Sequence, residues 1–111
     1  MPRPPKRRWI SEQPGVCYFK PAGIPQNLLQ QVDLAYDELE AIRLSDFMGM
    51  SQTDAAEHMN VSRATFGRIV CSARNKIATA LIKGMAINIT GGRVEVRPPM
   101  RRRHGRRGLG F

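Results

Sequence analysis

Apolar residues recur at steps of three and four from Phe66 through Ile69, Val70, Ala73, Ile77, Ala80 and Leu81. That spacing keeps one face apolar for about five turns and predicts a long amphipathic helix. Ser62 stands before it as an N-cap and Gly84 after it as a stop, so the helix runs from Arg63 to about Lys83. A shorter helix precedes it. Ser51 caps that one, with Asp54 three residues on as the reciprocal partner. Ala55, Ala56 and Met59 give it a small apolar face, Asn60 suits a left-handed ending, and Val61 plugs the turn. Small residues let the second helix cross closely over the first, which is the geometry of a helix-turn-helix.

Upstream, Asp37 can cap a helix with Glu40 as its capping-box partner, and Leu39, Ile42, Leu44 and Phe47 supply the buried side. Gly49 closes it. Glu38 and Glu40 read as cap and dipole partners rather than a catalytic pair, since no metal-binding His or third carboxylate faces them. Val16–Lys20 predicts a short strand, and Pro21 to Pro25 an extended turn. Residues 31–36 alternate as a second short strand. Met85–Ile89 and Arg93–Val96 flank Thr90-Gly91-Gly92, a hairpin signal spanning 85–97. An isolated hairpin is marginal in water, so this one must pack on the helices or pair with Val16–Lys20. The fold class expected is mainly α, a helix-turn-helix with a small β-hairpin and disordered basic termini. The chain divides into a Pro-rich basic arm (1–15), the domain (16–97) and a basic tail (98–111).

Charge sharpens the picture because it is uneven. The chain carries +9 overall. Between 37 and 84, six cations meet six anions, whereas the first 36 residues carry five against two and residues 85–111 seven against one. A neutral centre with two basic ends implies a polyanionic partner, most commonly nucleic acid. Lys6, Arg7 and Arg8 could bind phosphates as a flexible arm, and Trp9 and Ile10 would tuck that arm onto the domain. No apolar run approaches a membrane span and the N-terminus lacks a signal-peptide core, so a cytoplasmic protein is expected.

A recognition helix offers its first turns to base edges. With Phe66, Ile69, Val70 and Ala73 facing the core, Arg63, Ala64, Thr65, Gly67 and Arg68 are the base-reading candidates. Arg63 and Arg68 can each pair bidentately with guanine, and Ala64 and Thr65 can touch a thymine methyl. Gly67 allows close approach of backbone to DNA or relieves a clash with the preceding helix. Ser51, Gln52, Thr53 and Ser62 lie at helix N-termini, where amides meet phosphates. Ser72, Asn75 and Lys76 continue the polar face, and Arg101, Arg102 and Arg103 of the tail add phosphate contacts by charge. Arg74 pairs instead with an acid of the centre.

Other chemistry has little to stand on. No nucleophile–base constellation and no phosphate-binding Gly loop occurs, so no enzyme and no cofactor is expected. His58 is alone on its helix, and His104 sits in the arginine tail. Cys17 and His58 supply two ligands, too few for a metal site. Cys71 is expected to pack at the core boundary of the long helix.

The stretches DELEAIRL, GMSQTDAAEHMNVSRATFGRIV and SARNKIATAL resemble the helix-turn-helix of sigma-70 region 4. The ordered series FKPAGIP, DELEAIRL, SQTDAAEHMNVSRATFGRI and GGRV is similar to the small prokaryotic family called domain of unknown function 134, over about residues 3–97. The resemblance implies DNA binding, with the motif carried by Ser51 through Ile69. Some members of that family accompany iron–molybdenum-cofactor-like domains, and many carry extra N-terminal cysteines where this chain has Cys17 alone, which weakens a metal or redox role here.

The expected function is therefore a sequence-specific regulator on double-stranded DNA. A module this small would act as a homodimer with half-sites about 34–36 Å apart, joined through the hairpin or the helix C-terminus. Two rivals stand beside it. One is an RNA- or general nucleic-acid-binding protein driven by the arginine tail, and the other is an interaction protein of the transcription machinery that reads no DNA itself.

Overall fold

Phe66 is fully enclosed where three helices meet, and the chain is arranged about that point. The computed structural model describes residues 7–11, 15, 17–92 and 94–96. In chain order the elements are β1 (Arg8–Ile10), β2 (Tyr18–Phe19), β3 (Gln31–Leu34), α1 (Tyr36–Ile42), α2 (Gln52–His58), α3 (Arg63–Lys83), β4 (Ala86–Ile89) and β5 (Val94–Val96). A 3₁₀ turn (Gln26–Leu28) precedes β3, and a π-helical turn (Arg43–Phe47) extends α1.

The two halves of the α2–turn–α3 unit start as their sequences dictate. Ser51 accepts the Asp54 amide at 3.1 Å, and Ser62 accepts the Thr65 amide at 3.1 Å, so each helix has one of its orphan N–H groups satisfied by its cap. Asn60 holds the turn with φ of 59°, the left-handed conformation that Asn tolerates best among residues with a Cβ. Gly84 ends α3 at φ 67°. Ala55, Ala56 and Met59 of α2 pack with Ala41 and Leu44, and with Phe66, Ile69 and Val70 of α3, in one buried cluster. A second cluster joins Leu34, Ala73 and Ile89, so the middle of α3 lies against a sheet.

That sheet corrects the expected fold class. The domain is a mixed α/β fold, with five strands in two sheets among the described residues, and not a mainly α protein carrying one hairpin. β4 is the centre of a three-stranded sheet, antiparallel to β2 and parallel to β3, with Ile87 opposite both Phe19 and Val32. β5 pairs in parallel with β1, with Arg8 opposite Val94 and Ile10 opposite Val96. β4 and β5 therefore do not form a hairpin. Gly91 and Gly92 do take positive φ (78° and 98°), but the loop turns onto the start of α1. The Gly91 carbonyl accepts the Tyr36 amide at 3.1 Å, and a Cβ on Gly92 would lie 3.2 Å from that of Ala35. This docking sends the chain away from β4 toward β1. Part of the Pro-rich arm is thus a strand: Ile10 is buried, and the Trp9 amide donates to the Met59 carbonyl at 3.1 Å, clipping β1 to the end of α2.

Three local expectations also shift. The N-cap of α1 is Ala35, not Asp37, and the side chain returning to it is Glu38, whose Oε1 accepts the Ala35 amide at 2.9 Å. Ala35 has no cap oxygen, and the Gly91 carbonyl takes up the first helical amide, that of Tyr36. Phe47 is 74% exposed rather than buried, because the π turn, with Met48 N–H donating to the Arg43 carbonyl, winds more slowly and carries position 47 off the core face. Cys71 is exposed, since it points away from the Phe66–Val70 stripe. The expected disorder of the tail from Pro98 onward concerns residues outside those described. No described helix is long and apolar enough to cross a membrane.

Candidate nucleic-acid interface

Helix α3 turns about 100° per residue, so burying Phe66, Ile69, Val70 and Ala73 forces Ala64, Arg68, Cys71 and Asn75 to the outside. Arg63, Ala64 and Arg68 are exposed, and Thr65 and Gly67 are half-buried. The Thr65 hydroxyl lies 2.9 Å from that of Ser62, which fixes both at the helix start. Ser51, Thr53 and Ser62 are exposed at the two capped N-termini, and Gln52 is half-buried between them. The structure therefore brings nine of the chosen residues, from Ser51 to Arg68, to one end of the α2–α3 pair. Arg101, Arg102 and Arg103 lie outside the described residues.

The charges of the helices divide sharply into paired and unpaired. Arg74 makes a two-pronged contact with Asp46 (3.1 and 2.9 Å) and reaches Ser45, as its sequence context suggested. Arg43 grips Glu40 at 2.9 and 3.0 Å, and Glu40 also accepts the amide and hydroxyl of Ser11. Lys76 stands 2.8 Å from Glu38, and the Ser72 hydroxyl donates to the other oxygen of the same carboxylate at 2.6 Å. Two expected phosphate contacts, Ser72 and Lys76, are thus engaged inside the domain. Asn75 accepts a bond from Thr79 at 3.3 Å. The side chains of Arg63 and Arg68, by contrast, make no ion pair or hydrogen bond with any described residue.

Burial pushes the Glu38 carboxyl upward, but hydrogen bonds from Lys76, Ser72 and the Ala35 amide, with the Lys76 charge, outweigh it and hold Glu38 below the usual glutamate range. Asp37 goes the other way. Its burial, helped by the neighbouring Glu38 charge, exceeds the pull of Arg8 and of nearby amides and raises it above the usual aspartate range.

Gly67 resolves one alternative. A Cβ there would meet only Gln52 Oε1, at an ordinary 3.7 Å, so the glycine is not needed to clear α2. On the other side of α3 lies an open groove of about 540 Å³, bounded by Arg68, Ile69, Ser72 and Lys76, by Arg8 of β1, and by Ala35, Asp37, Glu38 and Gly92. The sequence offered only the Lys6-Arg7-Arg8 run as a sign of this flank, because the pairing that fixes Arg8 there spans the whole domain. Among the described residues no group of three or more His, Cys, Asp or Glu is placed to hold a metal ion.

Comparison with known proteins agrees with the ordered motifs. The chain is 53% identical over 105 residues to a UPF0251 protein of Caldanaerobacter subterraneus subsp. tengcongensis, covering 95% of this chain and 89% of that relative. It is 50% identical over 115 residues to a UPF0251 protein of Thermoanaerobacter pseudethanolicus, covering 97% and 98%. A UPF0251 protein of Dehalococcoides mccartyi is 54% identical over 96 residues, covering 86% and 82%. No solved structure matches the chain. With the family described as Protein of unknown function DUF134 matching residues 1–97, the chain belongs to that family.

Proposed function

We propose that this protein is a sequence-specific double-stranded-DNA-binding regulator of transcription that reads the major groove with the first turns of α3. The observation that carries the reading is the division of charge on the helices. Arg43, Arg74 and Lys76 are each matched to a carboxylate, while Arg63 and Arg68 stand exposed and unmatched among the described residues at a capped helix start. Exposed guanidinium groups at that position suit guanine O6 and N7, each pair worth roughly 1–3 kcal/mol of discrimination. Ala64 and Thr65 contribute methyl contacts, and Gly67 lets the backbone come close. Ser51, Gln52, Thr53 and Ser62 hold phosphate at the two helix starts. The reading assigns the protein no catalytic activity and no cofactor.

One module gives weak binding, so the active form is a homodimer. With no hairpin present, the C-terminal end of α3 supplies its interface. Leu81 and Ile82 are 73% and 85% exposed there, and Phe19 is 53% exposed beside the apolar groove that Leu81, Met85 and Ile87 line.

Enrichment of a random duplex pool tests the reading on the wild type, on Arg63→Ala/Arg68→Ala, and on a truncation after Met100, near physiological salt. A motif shared by the wild type and the truncation, and lost in the double variant, is expected. Binding without a motif, abolished only by the truncation, would overturn it in favour of a tail-driven nucleic-acid protein. A wild-type motif that survives in the double variant would remove Arg63 and Arg68 from the role of readers.

A further inference from the structure

The two flanks of α3 are built differently, and the second one has no role in the reading so far. At about 100° per residue, position 67 faces one side and positions 68, 72 and 76 turn toward the other. The first side is the N-terminus of α2, marked by Gln52 beside Gly67. The second is the groove between α3 and β1. A helix lying in a major groove about 12 Å wide has a sugar–phosphate strand on each side. The α2 N-terminus serves one strand. We infer that the groove of Arg8 and Arg68 holds the other, with Arg8 as a fixed phosphate contact rather than part of a loose arm.

Four observations support this. Arg8 is locked in place by its strand: it sits opposite Val94 in β5, and the next residue, Trp9, is tied to the Met59 carbonyl. Its own charge is weakly engaged, because the contact to Asp37 Oδ2 is 3.6 Å long and the buried Arg8 Nε has no hydrogen-bond partner among the described residues. A guanidinium held that way gains when a phosphate oxygen arrives. Third, the groove retains positive charge. Arg8, Arg68 and Lys76 line it against Asp37 and Glu38, and Glu38 is already taken by Lys76 and Ser72. Finally, Arg7, next to Arg8 in the chain, is exposed and donates a 3.4 Å bond to the Val94 carbonyl, so a second cation adjoins the one that lines the groove.

The inference rests on the DNA reading above, and its test separates the two. The probe is the duplex enriched by the wild-type protein, with affinity measured across salt. The variants are Arg8→Gln and Arg8→Gln/Asp37→Asn. The double variant keeps the net charge of the chain, so a change in slope reports a local contact. Each phosphate contact contributes about −0.9 to the slope of log K against log salt. Both variants should lose about that much, so that over a fourfold rise in salt the wild type weakens roughly 3.5-fold more than either. The enriched motif should not change, because phosphate contacts carry no base information. If the wild type enriches no duplex, the DNA reading fails and this inference with it. If it enriches one and the double variant, folded as judged by its melting curve, keeps the wild-type slope, then Arg8 serves only Asp37 and the inference alone is overturned.

Discussion

Lys76 Nζ and Glu38 Oε1 lie 2.8 Å apart, and through that contact the start of α1 is fastened to the middle of α3. The same carboxylate takes the Ala35 amide and the Ser72 hydroxyl, so one buried side chain caps one helix and anchors another. Removing it leaves three donors without their acceptor. Glu38→Ala should cost about 1–3 kcal/mol, measured by urea denaturation at neutral pH. A loss within a few tenths of a kcal/mol would show that water replaces the carboxylate freely.

The acid dependence of Glu38 and its neighbour Asp37 should have opposite signs. Glu38 is held below its unfolded value, so its contribution is complete above that value and disappears as pH falls through the folded one. Asp37 is held above its unfolded value, so its ionisation opposes folding at neutral pH and that opposition vanishes in acid. The stability gap between wild type and Glu38→Gln should therefore narrow as pH drops below the ordinary glutamate range. Asp37→Asn should be at least as stable as wild type at neutral pH and lose that standing in acid. A Glu38→Gln gap that is constant with pH would contradict the assignment.

Gly67 separates stability from binding. Its surroundings accept a methyl group, with Gln52 Oε1 3.7 Å from the added atom. Gly67→Ala should raise stability by up to about 1 kcal/mol through helix propensity. The same change should weaken binding to the enriched duplex, because the added methyl stands between helix and DNA. Unchanged affinity in the more stable variant would leave the glycine without a DNA role.

The turn between α2 and α3 depends on a left-handed residue, Asn60 at φ 59°. Asn60→Gly should fold normally, whereas Asn60→Val should lose about 1–2 kcal/mol, the cost of a β-branched side chain without Asn's local hydrogen bonding in that conformation. Thermal melts of the pair would settle it, and equal melting points would show that the turn can relax to another geometry.

The apolar end of α3 should govern self-association. Leu81 and Ile82 are 73% and 85% exposed, so Leu81→Glu/Ile82→Glu removes apolar surface without opening the core. Sedimentation should show the wild type as a dimer and the variant as a monomer with an unchanged melting temperature. A monomeric wild type would remove the dimer from the proposed function.

What could be read in the sequence was what neighbours in the chain decide. Ser51, Ser62, Asn60 and Gly84 act within three or four residues of themselves, and each sits where its chemistry placed it. The stripe from Phe66 to Ala73 likewise needed only a helical period, and it set which side chains at the start of α3 face outward. The strands were different. Ala86–Ile89 and Val94–Val96 looked like partners because they are close in sequence, but a strand chooses its partner by tertiary packing. Gly91 and Gly92 were legible as a turn; that they would dock on Ala35 and Tyr36, and so part the two strands, depended on a helix more than fifty residues away. Ala35 as an N-cap was hidden for the same reason, since it is that loop that takes up the first amide of the helix. The groove beside Arg8 exists only once β1 and β5 have paired.

The uninterrupted length of α3 has one more consequence. Its 21 residues make a rod of about 31 Å, with the proposed reading turn at one end and Leu81 and Ile82 at the other. Two copies meeting at those apolar ends would each hold a reader about 28 Å from the dyad, and a half-site spacing near 34 Å then requires the rods to open at about 75° to one another. In such a dimer the helix would act as a gauge. Ser62 and Gly84 mark its two ends, and the count of residues between them, rather than the shape of any loop, would fix how far apart a pair of recognised sequences must lie.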